Sequence, residues 1–477
     1  VQRKEPTVKS SRIPLIIACL AVLAAAAADA ATGWVLTGDY SQFGRLRSFN
    51  QASPWNASGD LAVTPGDAVG REYDGLLYVV GRGGASVLQI YDPAAGMALV
   101  REFSLGAGRN PQDIAFDTQG RAFVSCYDQA VLLRVDVQAG TVVQAYSTAA
   151  FADVDGLPET AWMLARGDRL FITCQKLDRT NFYAPSGPGA LLVFDMASGQ
   201  WVDANPALPG VQPIVLAGRN PYTRIEAVGV AGSEKLRVGC VGFYGLLDGG
   251  IDQVDPATLA GEGFVATEAQ LGGDIAAFVT TGHTSIYAVV GDVATFNTNF
   301  VRWQGGPGSA LLRAGGGFVY SDLAWDGGCQ LFLADRTLGA DGLRVFNACT
   351  GLPLGSAPVA TGLPPFSFVL PADPVASPVP PATPTAALRM SPPFPNPCNP
   401  SARLDLSGPA GTMVQVLATD LAGRAVASWS LELDADGRGL VTFDGRGPDG
   451  RTLAAGVYRL TARGGGGWAT RSITLLK

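Results

Sequence analysis

The 477-residue chain has room for two to four domains at roughly 100 to 200 residues each. Its 61 glycines and a charged content of only 16% suit many short strands joined by tight turns. A net charge of −7 excludes the electrostatic footprint of a nucleic-acid binder, and a single histidine, His283, leaves Ser-His-Asp, Cys-His and multi-histidine metal chemistry unexpected.

The chain opens with Arg3, Lys4, Lys9 and Arg12 ahead of an apolar run from Ile13 to Ala28. Ala28-Asp29-Ala30 then offers small residues where a signal peptidase reads, so residues 1–30 are expected to be a signal peptide cleaved after Ala30. At about 16 residues the run is short of the roughly 20 that span a bilayer, and no later stretch is longer and as apolar. A secreted or outer-surface chain carrying six cysteines in an oxidising compartment is the expectation.

A repeat follows. Strand-like runs recur at Leu77–Val80, Ala122–Ser125, Leu170–Thr173, Leu236–Gly239, Ile286–Val289 and Leu331–Ala334. Ahead of each lies an acid that introduces another short apolar run: Asp67, Asp113, Glu159, Glu226, Asp274 and Asp322. After each central run comes a third strand, closed in four copies by Asp92…Gly96, Asp136…Gly140, Asp195…Gly199 and Asn347…Gly351. A side chain that caps the turn, followed four residues later by a glycine at positive φ, is hairpin chemistry.

About 45 residues and four strands per repeat make a propeller blade. Residues 108–143, GRNPQDIAFDTQGRAFVSCYDQAVLLRVDVQAGTVV, resemble the YVTN-type repeats of bacterial surface and envelope propellers. Pro365–Leu370 reads as an inner strand with no partner downstream, whereas Trp34–Thr37 and Phe43–Arg47 read as strands with no inner strand upstream. Joining them completes a seventh blade from both chain ends and removes the open edge. The expected fold is all-β, a seven-bladed β-propeller over 31–370 with a small Ig-like β-sandwich behind it.

Two sets of residues are candidates for chemistry. The six acids at inner-strand starts are expected to gather around one mouth of the channel, where converging carboxylates could hold Ca²⁺. Calcium-dependent propeller lactonases place acidic and amide ligands there, and by that resemblance the chain could be a hydrolase, lactonase or lyase acting at the channel mouth. The plainer expectation is that each acid accepts backbone N–H bonds at its own strand start. The second set is carried by two long loops of the third blade region, Gln175–Gly189 and Pro206–Arg224, which emerge on the same face. Arg179, Phe182, Tyr183, Arg219 and Tyr222 are the ligand-binding candidates, because long loops on a rigid scaffold commonly carry binding. The two GRNP copies, Gly108–Pro111 and Gly218–Pro221, read as turn sequences inherited by duplication.

Cys126, Cys174 and Cys240 share one repeat position but belong to different blades, too far apart for a disulfide, and read as small buried apolar residues. Cys329 and Cys349 bracket a hairpin and are expected to pair. His283 sits in a predicted turn on the opposite face, as a solvated residue.

From Pro371 to Pro384 six of fourteen residues are proline, which sets residues 371–389 apart as an extended linker. Beyond it, Phe394-Pro-Asn-Pro-Cys-Asn-Pro400, Val414–Leu417, Asp420–Arg424, Phe443–Arg446, Asp449–Arg451 and Leu453–Tyr458 occur in an order that resembles the type IX secretion C-terminal sorting domain. That domain is similar to the Ig-like domain of the flagellar hook-capping protein. The resemblance implies that residues 390–477 are a small sandwich read by the type IX machinery. Cys398 stands where the family has Phe and Phe443 where it has Trp, and both remain buriable. With no nucleophile–base pair evident, the expected function is binding or adhesion at the cell surface.

Overall fold

The computed structural model describes residues 32–38, 43–229, 233–282, 284–371, 388–391, 393–420, 424–434, 437–447, 450–464 and 467–476. The predicted signal peptide, His283 and nearly all of the proline-rich segment lie outside these residues. The chain divides into two compact units, Val1–Val375 and Ala376–Lys477. Almost every element in both is a strand. Among the described residues no helix is long and apolar enough to cross a membrane.

Among the described residues of the first unit, seven antiparallel sheets of three to five strands follow one another along the chain, with a two-stranded ladder of Leu177–Asp178 and Ala184–Pro185 beside the fourth. Each sheet begins with an inner strand and steps outward by hairpins, as in Pro111–Phe116, Ala122–Cys126, Val131–Asp136 and Thr141–Ser147. The predicted hairpin chemistry is present. Asp92, Asp136, Asp195 and Asn347 each accept from a backbone N–H two or three residues on at 2.8 Å, and Gly96, Gly140, Gly199 and Gly351 take φ of 68° to 78°.

The central strands are buried on both faces, and the reason is the way the sheets share cores. Every pair of consecutive sheets encloses one apolar cluster. Alternate side chains of one strand therefore serve different neighbours: Val124 packs toward the preceding sheet and Phe123 toward the following one. The series closes on itself. Pro365–Val369 forms the inner strand of a sheet whose other members, Thr32–Gly38, Phe43–Asn50 and Ala62–Pro65, come from the opposite end of the chain. Val35 pairs with Phe368 and Trp34 with Val369. Phe368 completes a core with Phe49, Phe332 and Leu343, while Val369 completes another with Leu36, Leu77 and Val79. This ring of sheets is consistent with a propeller, and the joining of the two ends is the closure that the unmatched strands predicted.

The second unit packs two antiparallel sheets around one core. Ala402–Ser407 lies between Arg389–Met390 and Arg438–Phe443, and Met413–Thr419 lies between Ala425–Glu432 and Gly456–Gly464, which continues into Gly467–Leu475. Val414, Val416, Tyr458 and Leu460 point inward as their alternation predicts, and both Cys398 and Phe443 are fully buried. The FPNPCNP segment is fastened to the last strand. Cys398 N–H donates to the Thr474 carbonyl, Leu476 N–H to the Cys398 carbonyl, and the Asn396 side chain both accepts from Thr474 N–H and donates to the Ser472 carbonyl.

Phe368 is 1% exposed, and its ring meets those of Phe49 and Phe332. Phe368→Ala is expected to destabilise the first unit by about 3–5 kcal/mol in urea unfolding, the usual cost of an emptied aromatic core site. A change under 1 kcal/mol would show that this strand does not complete the core.

Candidate site at the mouth of the channel

The inner strands are held to one another by carboxylates that reach across from sheet to sheet. Asp113, wholly buried, accepts from its neighbour Ile114 N–H at 2.9 Å and from Met163 N–H of the next inner strand at 2.9 Å. Asp322 repeats the pattern with Leu323 N–H and Phe368 N–H, both 2.9 Å. Glu226 accepts from Thr280 N–H of the next inner strand at 2.9 Å. At Ile114 and Leu323 the bonds satisfy backbone donors beside register shifts in the ladder, between Pro111 and Ile114 and between Tyr320 and Leu323.

The six acids do not form a ring. Strand register shows why: Pro111 faces Cys126, Thr160 faces Cys174, Pro221 faces Cys240, Asp274 faces Gly291 and Tyr320 faces Asp335. Counting from these pairs, the positions matching Asp113 are Trp162, Thr223, Ala276 and Asp322, so only two of the predicted acids are equivalent. Asp67 and Glu159 precede their strands, Asp274 begins its own, and Glu226 lies three residues past its predicted place. Of the six, Asp67, Glu226 and Asp322 line the channel. Glu159 turns into the loops, where it accepts from Leu177 N–H and Arg179 Nε. Asp274 accepts from Gly245 N–H. Among the described residues no group of three or more His, Cys, Asp or Glu is placed to hold a metal ion.

Two arginines occupy the channel instead. Arg71 forms a two-pronged pair with Asp113 (2.8 and 2.6 Å) and Arg224 reaches Asp322 (3.2 Å), Ser367 Oγ (2.6 Å) and the Phe368 carbonyl. Both guanidiniums lie over the ring of Trp162, at 6.0 and 5.1 Å from its centre. Trp162 is itself fixed by its Nε1–H to the Tyr222 carbonyl at 2.8 Å. Burial works against the charge on Arg71, yet Asp113 outweighs it and the pKa ends above the ordinary guanidinium value; burial of Arg224 wins over Asp322 and lowers its pKa. Burial also pushes Glu226 up to about 7, against the pull of its Thr280 bonds and of Arg237 and Arg224.

The channel as a whole is a cavity of about 750 Å³, lined by Arg71, Trp162 and Arg224 as well as by the residues of its mouth. At its mouth Arg82 and Arg336 both lie over Phe366, 5.7 and 5.4 Å from the ring centre, and Arg82 pairs with Asp67 at 2.6 Å. Tyr127, Tyr222 and Phe318 complete the rim.

The loop candidates divide. Arg179 is a clamp, not a free group: it binds Asp128 (2.8 Å), Glu159 (3.0 Å) and the Tyr127 carbonyl (2.9 Å). It holds up a hairpin whose tip, Phe182 and Tyr183, has φ of 54° and 57°, with Phe182 98% exposed. Arg219 is exposed, and Tyr222 stands edge-to-face with Tyr244 at 6.0 Å. The two GRNP turns are equivalent, since Asn110 and Asn220 both adopt left-handed φ (48° and 51°) and their carbonyls accept from Tyr127 and Val241 N–H. Sequence reading missed Arg71, Arg82, Trp162, Arg224, Tyr244, Arg336 and Phe366. Cys126, Cys174 and Cys240 are buried, and burial pushes the first two thiols up to about 12.

No protein family matches the chain, and no curated protein does. Among solved structures it is similar to PorZ, a surface component of the type-IX secretion system of Porphyromonas gingivalis, with TM-score 0.40, 15% identity, and coverage of 92% of this chain and 64% of that one. The chain thus spans less than two thirds of PorZ. It is also similar to a functionally unknown protein from Desulfotomaculum acetoxidans, with TM-score 0.48, 11% identity, and coverage of 72% and 99%. A third similar structure is apo AztD from Citrobacter koseri, with TM-score 0.42, 12% identity, and coverage of 71% and 97%.

Asp113→Ala is expected to cost about 3–5 kcal/mol in chemical denaturation, because it strips Arg71 of its countercharge and Met163 of its acceptor. Asp322→Ala is expected to cost less, since Arg224 keeps Ser367 and the Phe368 carbonyl. Equal losses would contradict this difference.

Glu226 also carries a pH signature. Its folded pKa lies above the unfolded value of about 4.5, so the stability it contributes is full below that pH and is lost as pH rises through about 7. Glu226→Gln is expected to flatten part of the fall in Tm between pH 5 and 8, leaving the variant more stable than wild type at pH 8 by on the order of 2–4 °C. An unchanged Tm profile would show that Glu226 titrates normally.

Proposed function

We propose that this is a secreted or cell-surface binding protein. The seven sheets act as the blades of a seven-bladed propeller over 31–370, residues 371–389 form a proline-rich linker, and 390–477 form an Ig-like domain that the type IX machinery reads as an address. The observation that carries the binding reading is the mouth of the channel. It leads into a channel cavity of about 750 Å³ lined by side chains drawn from every sheet of the ring. The loops around it expose Phe182, Tyr183, Tyr222, Tyr244 and Phe318.

The Ca²⁺-dependent hydrolase reading needs the acids to converge with open coordination sites. Asp113 and Asp322 are engaged by arginine and backbone N–H, and Glu159 by Arg179, which favours binding over that chemistry. The address reading is supported by the fastening of FPNPCNP to the final strand, which gives a role in the sandwich to the motif that carries the family resemblance.

A disulfide between Cys329 and Cys349 belongs to the same reading. Both are exposed, with their Sγ atoms 3.1 Å apart, and export would bring them to an oxidising compartment. The bridge would close a short loop, contributing on the order of 3 kcal/mol in the chain-entropy model. Non-reduced peptide mapping of exported protein is expected to recover the two peptides linked, and two free thiols would refute the pairing.

In a host with type IX machinery, the chain truncated before residue 385 is expected to remain periplasmic and folded while the full chain reaches the surface or medium. The purified full chain, added back to cells lacking it, is expected to be retained with saturation. Equal export of both forms would contradict the address, and retention that never saturates would contradict the binding function.

A further inference from the structure

We propose that the gap between the sheet built from both chain ends and the sheet that follows it binds a small organic ammonium ion, an amine carried on a compact apolar body. The site is separate from the channel. Strand Ala62–Pro65 of the first sheet and strands Val87–Asp92 and Ala98–Ser104 of the second border a cavity of about 640 Å³. Ala62–Pro65 and Ala98–Ser104 are the outermost strands of their sheets, which places the cavity at the rim of the ring. Ala62 packs against the core that the two sheets share, together with Tyr91 and Met97. Side chains alternate along a strand, so Thr64 lies on the same face as Ala62 and Gln89 on the same face as Tyr91, and both project into the one gap. Register sets Glu102 directly opposite Gln89 and Leu99 opposite Tyr91. Pro65, Ala85, Val87 and Leu99 supply apolar walls, and Leu99 is half exposed.

The polar groups of this cavity select the ligand. Gln89 Nε2 donates to Glu102 Oε2 at 2.7 Å. A carboxylate only accepts, so the amide cannot turn over, and Oε1 is left on the side away from Glu102 as an acceptor. Gln89 is 8% exposed, and its Oε1 has no hydrogen-bond partner among the described residues; the same holds for the hydroxyl of Thr64, 2% exposed. A buried acceptor left unmet is costly, and a donor brought in by a ligand removes that cost. The Tyr91 hydroxyl is already spent, donating to the Val63 carbonyl at 3.0 Å. Among the described residues that line the cavity Glu102 is the one that carries a charge, and no arginine or lysine lines it. An amide oxygen, a hydroxyl and a carboxylate thus face the same space. An ammonium answers them with N–H donors and the opposite charge, whereas a carboxylate or phosphate would meet repulsion from Glu102. The volume and the apolar walls suit a small molecule with a hydrocarbon body.

The test titrates the purified full chain at neutral pH and constant ionic strength with 2-phenylethylamine, its uncharged counterpart 2-phenylethanol and its anionic counterpart phenylacetate, following Tm and calorimetric heat. 2-Phenylethylamine is expected to raise Tm with saturation, since a ligand that binds only the folded state stabilises it. 2-Phenylethanol is expected to bind about tenfold or more weakly, because it keeps a donor and lacks the charge, and phenylacetate is expected not to bind. Glu102→Gln is expected to remove most of the preference for the amine over the alcohol. Gln89→Leu is expected to weaken both about tenfold. Leu99→Arg sets a cation at the exposed edge of the cavity without entering the core; it is expected to abolish amine binding, and it serves if Gln89→Leu does not fold. Phenylacetate binding as tightly as the amine, or no saturable response to the amine, would overturn the proposal. An amine response that Glu102→Gln and Leu99→Arg both leave intact would overturn it as well, by placing the amine elsewhere on the chain.

Discussion

The pairing of Pro365–Val369 with Thr32–Gly38 is the contact on which the remaining structure of the first unit depends. Each sheet in the ring is buried on both faces only because it has a neighbour on both sides. An opened ring would leave two half-built cores, the one around Phe49, Phe332 and Phe368 and the one around Leu36, Leu77 and Val369. The fit is close: a Cβ on Gly70 would lie 2.4 Å from Val369 Cγ2, so no larger residue enters there without moving the closing strand. The same strand furnishes Phe366 to the mouth and Ser367 to Arg224. Closure and site are one construction.

Charge is arranged inside that ring by the distance from water. Arg71 and Arg224 each have a carboxylate within hydrogen-bonding or ion-pair reach, as the cost of an isolated internal charge demands. Asp113 and Asp322 do double duty, since each also ties the inner strand of its sheet to the next through a backbone N–H. At the mouth Arg82 pairs with the exposed Asp67, and both Arg82 and Arg336 lie over Phe366.

The repeat, the turns and the closure were legible in the sequence because they follow from local chemistry. Asp136 with Gly140 and Asn347 with Gly351 announce a hairpin whatever surrounds them, and two unmatched ends of a repeat announce each other. The acids misled for a physical reason. A carboxylate before an apolar run marks a strand start, but the insertion of the third repeat and the bulges displace the register, so Glu226 is not the counterpart of Asp113, whereas Thr223 is. Trp162 occupies an equivalent position with no chemical likeness to Asp113. Arg71 and Arg224 act across the channel, Arg224 on residues about a hundred or more positions away, and no local spacing reports such a meeting. Arg179 was legible as a loop cation but not as a clamp, because its carboxylate partners come from two separate stretches of chain, Asp128 and Asp155 with Glu159.

The central claim is that the chain ends close the ring as firmly as any internal sheet. Hydrogen exchange of the full chain, read peptide by peptide, tests it most directly, because exchange of core amides reports the free energy of the opening that exposes them. In a ring closed by its two ends, 32–38 and 365–369 are expected to exchange as slowly as the internal strands Ala122–Cys126 and Leu331–Ala334, through the same cooperative opening. Rapid exchange of 365–369 while those strands stay protected would show that the ring stands without its closing strand, and would contradict the account.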